Sequence, residues 1–321
     1  MGNMWHVKNW FRVGKKFSWR LSFNTLAAFI GLSDALRNRF LIARANSKHE
    51  YILSFLEREF SEIISKYKDI DDTKNINKPA KKIWMLWWQG IENAPPLVRA
   101  CMNSTIRNAG DAEVTVLTKE NISDYIQVPE YIIRLQNEGK MSMANMTDLI
   151  RVMLLARYGG IWLDSTIYTS GQIPEDYFSL PFYSLHTHYE ENCYVQHNLY
   201  HIFILGSRPE GKLVSFVRDI FLEYWKRFDC IIDYFMLDYI LMLAYNCFDD
   251  IRSEIDNLPY SSERLYDLVK MLSKPYDPCT MEILRNECMF SKLDWHKKYK
   301  TKAKGTQTYY SHIINAAGEA T

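Results

Sequence analysis

The chain has 321 residues, 47% of them hydrophobic and 24% charged, which suits one large α/β domain or a domain with an appendage. A formal net charge of +1 argues against the strongly basic face of a dedicated nucleic-acid binder, so no nucleic acid is expected as a partner. The six cysteines, at 101, 193, 230, 247, 279 and 288, include no CxxC pair. They point to reduced thiols in a cytoplasmic protein, and away from a disulfide framework or a zinc site.

That charge is unevenly spread. Residues 1–44 carry eight Lys or Arg against Asp34 alone, a net +7. The apolar stretch 21–32 within them is interrupted by Ser22, Asn24 and Thr25. It is shorter than the roughly 20 apolar residues of a spanning helix, and no clean cleavage site follows it. A basic, amphipathic, helical segment of this kind fits peripheral contact with the anionic inner face of a membrane, where each Lys or Arg is worth about 1 kcal/mol. The same pattern equally fits an extension packed on the main domain. Residues 47–68 place Ile52, Phe55, Leu56, Phe60, Ile63, Ile64 and Tyr67 at helical spacing. The polar stretch 69–80 then reads as a linker, dividing a helical extension (1–75) from a main domain (76–321).

From Lys81 the pattern changes. The run 83–88 reads as a buried strand, Pro95-Pro96 opens a helix reaching about residue 108, and 114–117 form a second short strand. Thr118 follows as the cap of the next turn. Alternating strands and helices predict an α/β fold, a Rossmann-like, mostly parallel sheet flanked by helices. In such sheets ligands collect at the carboxyl ends of the strands, which makes Thr118 a candidate ligand contact.

The segment 144–166, ANMTDLIRVMLLARYGGIWLDST, is the most informative. Thr147 suits an N-cap, apolar residues recur at helical spacing, and Gly159-Gly160 ends the helix where a left-handed residue is needed. Ile161-Trp162-Leu163 is a short buried strand ending at Asp164. From Asp148 to Tyr158 the helix climbs about 15 Å. The chain then reverses, and Ile161 to Asp164 returns about 10 Å. Asp164 therefore comes back toward Asp148 and Arg151, which share a helix face at i, i+3. Two carboxylates and a guanidinium at one sheet edge suit a sugar nucleotide: Arg for phosphate or sugar oxygens, carboxylates for hydroxyls or a phosphate-bound metal.

These residues resemble the DxD-type sugar-binding region of family-32 glycosyltransferases, most closely the capsular polysaccharide synthesis branch. The shared elements are Thr147-Asp148-x-x-Arg151, the Gly159-Gly160 turn and Trp162-Leu163-Asp164. Weaker likeness extends to Lys81-Lys82-Ile83, Trp87-Trp88-Gln89-Gly90, Ala94-Pro95, Asp233-Tyr234-Phe235, Thr308-Tyr309-Tyr310 and Ile313-Ile314, covering about 78–315. The resemblance implies a GT-A fold over 76–321 and retaining transfer from a nucleotide-sugar, UDP-linked by preference. The implied acceptor is a glycan or polyprenyl-linked glycan, in capsule or O-antigen-type synthesis. It also implies that Trp87 and Gln89 lie near the base, that Asp148 and Arg151 hold the donor sugar, and that Asp164 contacts ribose, sugar or a metal-linked phosphate. A divalent metal, Mn²⁺ or Mg²⁺, is implied on Asp164 with Thr166 beside it, and His296 or His312 is a candidate distal ligand from the sequence itself. Where the family pattern has a second Asp this chain has Thr166, which brings no charge. That departure motivates an alternative, a noncatalytic nucleotide- or glycan-binding partner in an assembly complex.

His186-x-His188 and His197-x-x-x-His201 have spacings that fit a metal, although nothing in the pattern brings them together, and hydrogen-bonded histidines explain them as well. Asp233 and Asp238 sit in the apolar run IIDYFMLDYILMLAY, read as helix. The family resemblance makes Asp233 or Asp238 a candidate for acceptor contact or base assistance; capping of a neighbouring amide accounts for them equally.

Overall fold

The computed structural model describes residues 11–19, 21, 39–72, 79–187 and 194–318. Most of the basic segment 1–44 therefore lies outside the described residues. Residues 11–16 are helical, and helices α1 (Arg39–Glu59) and α2 (Ser61–Lys68) follow. The predicted apolar face is buried at Ile52, Phe55, Leu56, Phe60, Ile64 and Tyr67.

The α/β body follows in the order β1 (Lys82–Leu86), α3 (Pro96–Asn108), β2 (Glu113–Leu117), α4 (Glu130–Asn137), α5 (Met143–Tyr158) and β3 (Gly160–Leu163). Strands β4 (Ile167–Thr169), β5 (Phe182–Ser184) and β6 (Ile204–Ser207) lead into helices α6 (Lys212–Arg227), α7 (Met236–Cys247), α8 (Asp249–Asp256), α9 (Asp267–Met271) and α10 (Pro278–Glu287). Strand β7 (Phe290–Lys292), a short β8–β9 hairpin (Lys302–Ala303, Thr306–Gln307) and α11 (Tyr309–Gly318) close the described chain.

The main sheet has the order β2-β1-β3-β6-β5. Strands β2, β1 and β3 pair in parallel, while β6 is antiparallel to both β3 and β5. Four of the five strands therefore share one direction, which is the mostly parallel sheet the alternation predicted. Side-chain alternation splits β1 between two cores. Trp84 joins α5, α6 and α7 in the larger cluster, whereas Ile83 and Met85 join Val98 and Met102 of α3 on the opposite face. Helices α1 and α2 pack on α7 and α6 and extend the larger layer.

The reversal between α5 and β3 depends on its two glycines. Gly159 has φ +66° and Gly160 φ +89°, values that side chains rarely adopt. Space forbids a side chain as well: a Cβ would lie 2.6 Å from Pro209 Cδ at residue 159, and 2.5 Å from Lys82 O at residue 160. Trp84 Nε1 donates to Gly159 O at 2.9 Å and ties the turn to β1.

Candidate active site

The parallel strands finish level. Leu86 is opposite Leu117, and Trp84 is opposite Trp162. The residues just beyond them, Trp87, Thr118 and Asp164, therefore share the carboxyl edge of the sheet. Helix α5 runs back against β3, so its first half meets that edge. Its N-cap is Ser142, whose hydroxyl accepts the Asn145 N–H at 3.2 Å. Thr147 lies a turn inside the helix, which corrects the predicted start: the cap belongs five residues earlier, where the backbone is still extended.

Arg151 joins the two acids as the chain reversal predicted. Its Nη2 lies 3.4 Å from Asp148 Oδ1 and 3.2 Å from Asp164 Oδ1. Its Nη1 donates to Ile202 O, and its guanidinium sits 5.1 Å from the Trp162 ring centroid. With only 4% of its side chain exposed, Arg151 works from beneath, orienting both carboxylates. Asp164 receives further donors: Trp162 Nε1 at 3.0 Å on Oδ1 and Lys292 Nζ at 2.7 Å on Oδ2. Burial raises the Asp164 pKa, but the Lys292 and Arg151 charges outweigh it and hold the group below the usual carboxylate range.

The neighbouring acids behave oppositely. Burial raises Asp148 to about 6, with Arg151 opposing and Asp164 adding to the rise. Asp238, in the first turn of α7, is raised to about 8 by burial and then by Asp148. Its Oδ2 is buried with no hydrogen-bond partner. Acids pushed to different pKa values around one buried guanidinium are an arrangement that functional sites use. Tyr234 joins this group. Local burial, then the Asp148 and Asp164 charges, lift its hydroxyl above the usual phenol range, although the residue as a whole keeps 47% exposure.

Asp233 has a different place. It precedes α7 in a loop, because the helix begins only at Met236. Its Oδ1 accepts the Phe235 N–H at 2.9 Å and its Oδ2 pairs with Lys48 Nζ of α1 at 3.0 Å. Both oxygens are engaged in holding the loop, which corrects the reading of one helix carrying both acids.

At the other end of the edge, Trp87 packs edge-on against Trp295 with centroids 5.4 Å apart, and its buried Nε1 has no hydrogen-bond partner. Gln89 is exposed and its carbonyl accepts from Asn93 Nδ2 at 2.8 Å. Thr118 caps its turn by accepting the Glu120 N–H at 3.2 Å. His201 is buried against Phe203 and bonded to Thr187 Oγ1 at 2.9 Å. Burial, then His186, lowers its pKa to about 4. This is the hydrogen-bonded reading for His201, and His188 lies outside the described residues.

The residues proposed for a metal do not fit one as arranged. Each Asp164 oxygen already faces a cation, Arg151 on Oδ1 and Lys292 on Oδ2, which opposes a further positive ion there. Thr166 is neutral. His296 is 75% exposed and lies 3.4 Å from Asp294, while His312 stacks on Tyr276. Among the described residues no three of His, Cys, Asp and Glu gather into a metal-binding group.

The sequence pattern of capsular polysaccharide synthesis proteins matches residues 34–313, a span that contains the whole acid cluster. The chain belongs to this family. It is also 32% identical over 94 residues to the O-glycosyltransferase braB of Annulohypoxylon truncatum, a match covering 26% of this chain and only 22% of that relative. A solved structure, the PaToxG glycosyltransferase, aligns with a TM-score of 0.39 and 13% identity over 65% of this chain and 83% of its own.

Two neighbours of the candidate residues have no signal in the sequence pattern, Lys292 beside Asp164 and Trp295 beside Trp87. Lys292 reaches Asp164 across a three-residue antiparallel ladder in which Ile167 faces Lys292. A pattern search along the chain has no signal for it.

Proposed function

We propose that the chain is a retaining glycosyltransferase of surface polysaccharide synthesis. In this reading a nucleotide-sugar, UDP-linked by preference, donates its sugar to a glycan or polyprenyl-linked glycan. The observation carrying it is Arg151 clamping Asp148 and Asp164 at the carboxyl edge of β3, level with Trp87 and Thr118. Family membership and the match to an O-glycosyltransferase support the same class. No helix among the described residues is long and apolar enough to cross a membrane. Placement on the inner membrane face rests on the net +7 of residues 1–44.

The base lies against Trp87, whose Nε1 has a hydrogen bond to give. Asp164 keeps 27% side-chain exposure and accepts ribose or sugar hydroxyls. A carboxylate has about four acceptor positions, so its protein donors leave room for them. The acceptor hydroxyl attacks C1 on the face the diphosphate leaves. As the C1–O bond to phosphate breaks and the new C1–O bond forms, the hydroxyl proton passes to the departing phosphate oxygen.

A thermal-shift screen of UDP-, GDP- and CMP-sugars identifies the donor, since a ligand bound only by the native state raises the melting temperature. Transfer or hydrolysis then follows for that donor. Asp164→Ala is expected to lose at least ~10²-fold in rate, the usual cost of an electrostatic group at a reacting centre. Full activity in that variant refutes the assignment. Tight binding without turnover across a broad acceptor panel favours a noncatalytic partner, a reading motivated by Thr166 in place of a second acid.

A further inference from the structure

Lys292 faces the turn where a metal-bridging acid is expected. Its place is fixed on both sides, by the β4–β7 register opposite Ile167 and by Leu293 N donating to Thr166 O at 3.0 Å. Lys292 Nζ lies 2.7 Å from Asp164 Oδ2 and 4.8 Å from the Phe203 ring centroid, with 23% of its side chain exposed. An ammonium has three N–H donors, and Asp164 takes one. Two remain for a ligand at this edge.

A charge count separates the two ways of meeting a diphosphate here. Asp148 and Asp164 carry two negative charges, and Arg151 and Lys292 two positive ones, so the cluster balances without an added ion. A dication on Asp164 gains no net field and must displace an ammonium already seated on the carboxylate. A dication and an ammonium about 4 Å apart repel by about 2 kcal/mol even in bulk water, and more in a partly buried site. Thr166 brings no charge to offset this. A diphosphate meets the opposite situation, a fixed cation with unused donors, and lysine is an established phosphate binder.

We propose that Lys292 stands where a divalent cation would bridge Asp164 to the donor diphosphate, so that this protein binds nucleoside diphosphates without metal. The proposal rests on the donor-site reading above. In the transfer step the electron pair of the breaking C1–O bond goes to the diphosphate, and Lys292 N–H groups meet that charge while the acceptor proton moves to the departing oxygen. Lys292 is the ligand-facing cation, and Arg151 below it is a positioning residue.

Calorimetric titration of the full chain with UDP and GDP, and with uridine and guanosine as phosphate-free controls, tests this in EDTA and again with Mn²⁺ or Mg²⁺. The expected result is diphosphate binding in EDTA that metal improves by less than about threefold. Lys292→Gln should weaken diphosphate binding at least about tenfold with nucleoside binding little changed, and Lys292→Arg should restore most of it. Binding that appears only with metal overturns the proposal and leaves the donor site standing. This arm uses the unaltered protein and does not depend on any variant folding. Diphosphate affinity unchanged in a folded Lys292→Gln also overturns it. No diphosphate bound under any condition removes the donor-site reading, and this proposal with it.

Discussion

Lys48 Nζ lies 3.0 Å from Asp233 Oδ2, a buried ion pair that joins helix α1 to the loop leading into α7. The pair links the helical N-terminal region to the element that carries Asp238. Removing one partner strands a buried charge, which typically costs about 3–5 kcal/mol. Lys48→Met is therefore expected to lower the urea midpoint sharply. Adding Asp233→Asn should recover part of the loss, since the stranded charge goes too. Additive losses in the double-mutant cycle are the outcome that sinks this pairing.

Gly160 makes a second expectation. Gly160→Ala puts a methyl group 2.5 Å from Lys82 O at a φ of +89°. Strained backbone alone costs on the order of 1–3 kcal/mol, and β1 must also move away from β3. Chemical denaturation should show at least that loss. Gly171→Ala is the control: a Cβ there meets nothing within 4 Å, and no positive φ is involved. Equal stability of the two variants would contradict the account of the turn.

Residues of the site are legible in the sequence where few residues separate them along the chain. Asp148, Arg151 and Asp164 were legible because one helix, one reversal and one strand connect them, with rises per residue that are known in advance. Gly159 and Gly160 announced the reversal. Lys292 stayed hidden because 128 residues separate it from Asp164, and two three-residue strands leave almost no periodicity to read. The apolar run around Asp233 is continuous and reads as helix. The Asp233 side chain in fact closes a turn onto the Phe235 N–H, a local competition with helical structure that such residues often win. Thr147 suits a cap by residue type alone, and periodicity carried no signal that the helix already starts beyond Ser142.

Trp87 gives a graded test of the base position. Its Nε1 is buried without a partner, so a ligand hydrogen bond there is gained without breaking another. Trp87→Phe keeps an aromatic ring against Trp295 and removes only the donor. It should weaken UDP or GDP binding by about 1 kcal/mol, near fivefold. Trp87→Ala removes the ring surface as well and should cost more than tenfold, roughly 1.5–3 kcal/mol. Titration calorimetry separates these levels, and wild-type affinity in both variants places the base elsewhere.

Asp238 and Asp148 predict how stability depends on pH. Both are raised in the folded protein, Asp238 to about 8 and Asp148 to about 6, chiefly by burial. An unfolded aspartate loses its proton near pH 4. Above that pH the native state holds protons that the unfolded state has released, so stability falls as pH rises. Asp148 contributes to the fall up to about pH 6, and Asp238 continues it to about pH 8. Asp238→Asn removes the second part and keeps a side chain of similar shape. Unfolding free energies from urea titrations at pH 5 to pH 8 should therefore decline in the wild type and decline less in the variant, so that the two curves separate by a few kcal/mol toward the alkaline end. Parallel curves would mean that Asp238 is already ionised at pH 7, with a partner the folded chain supplies.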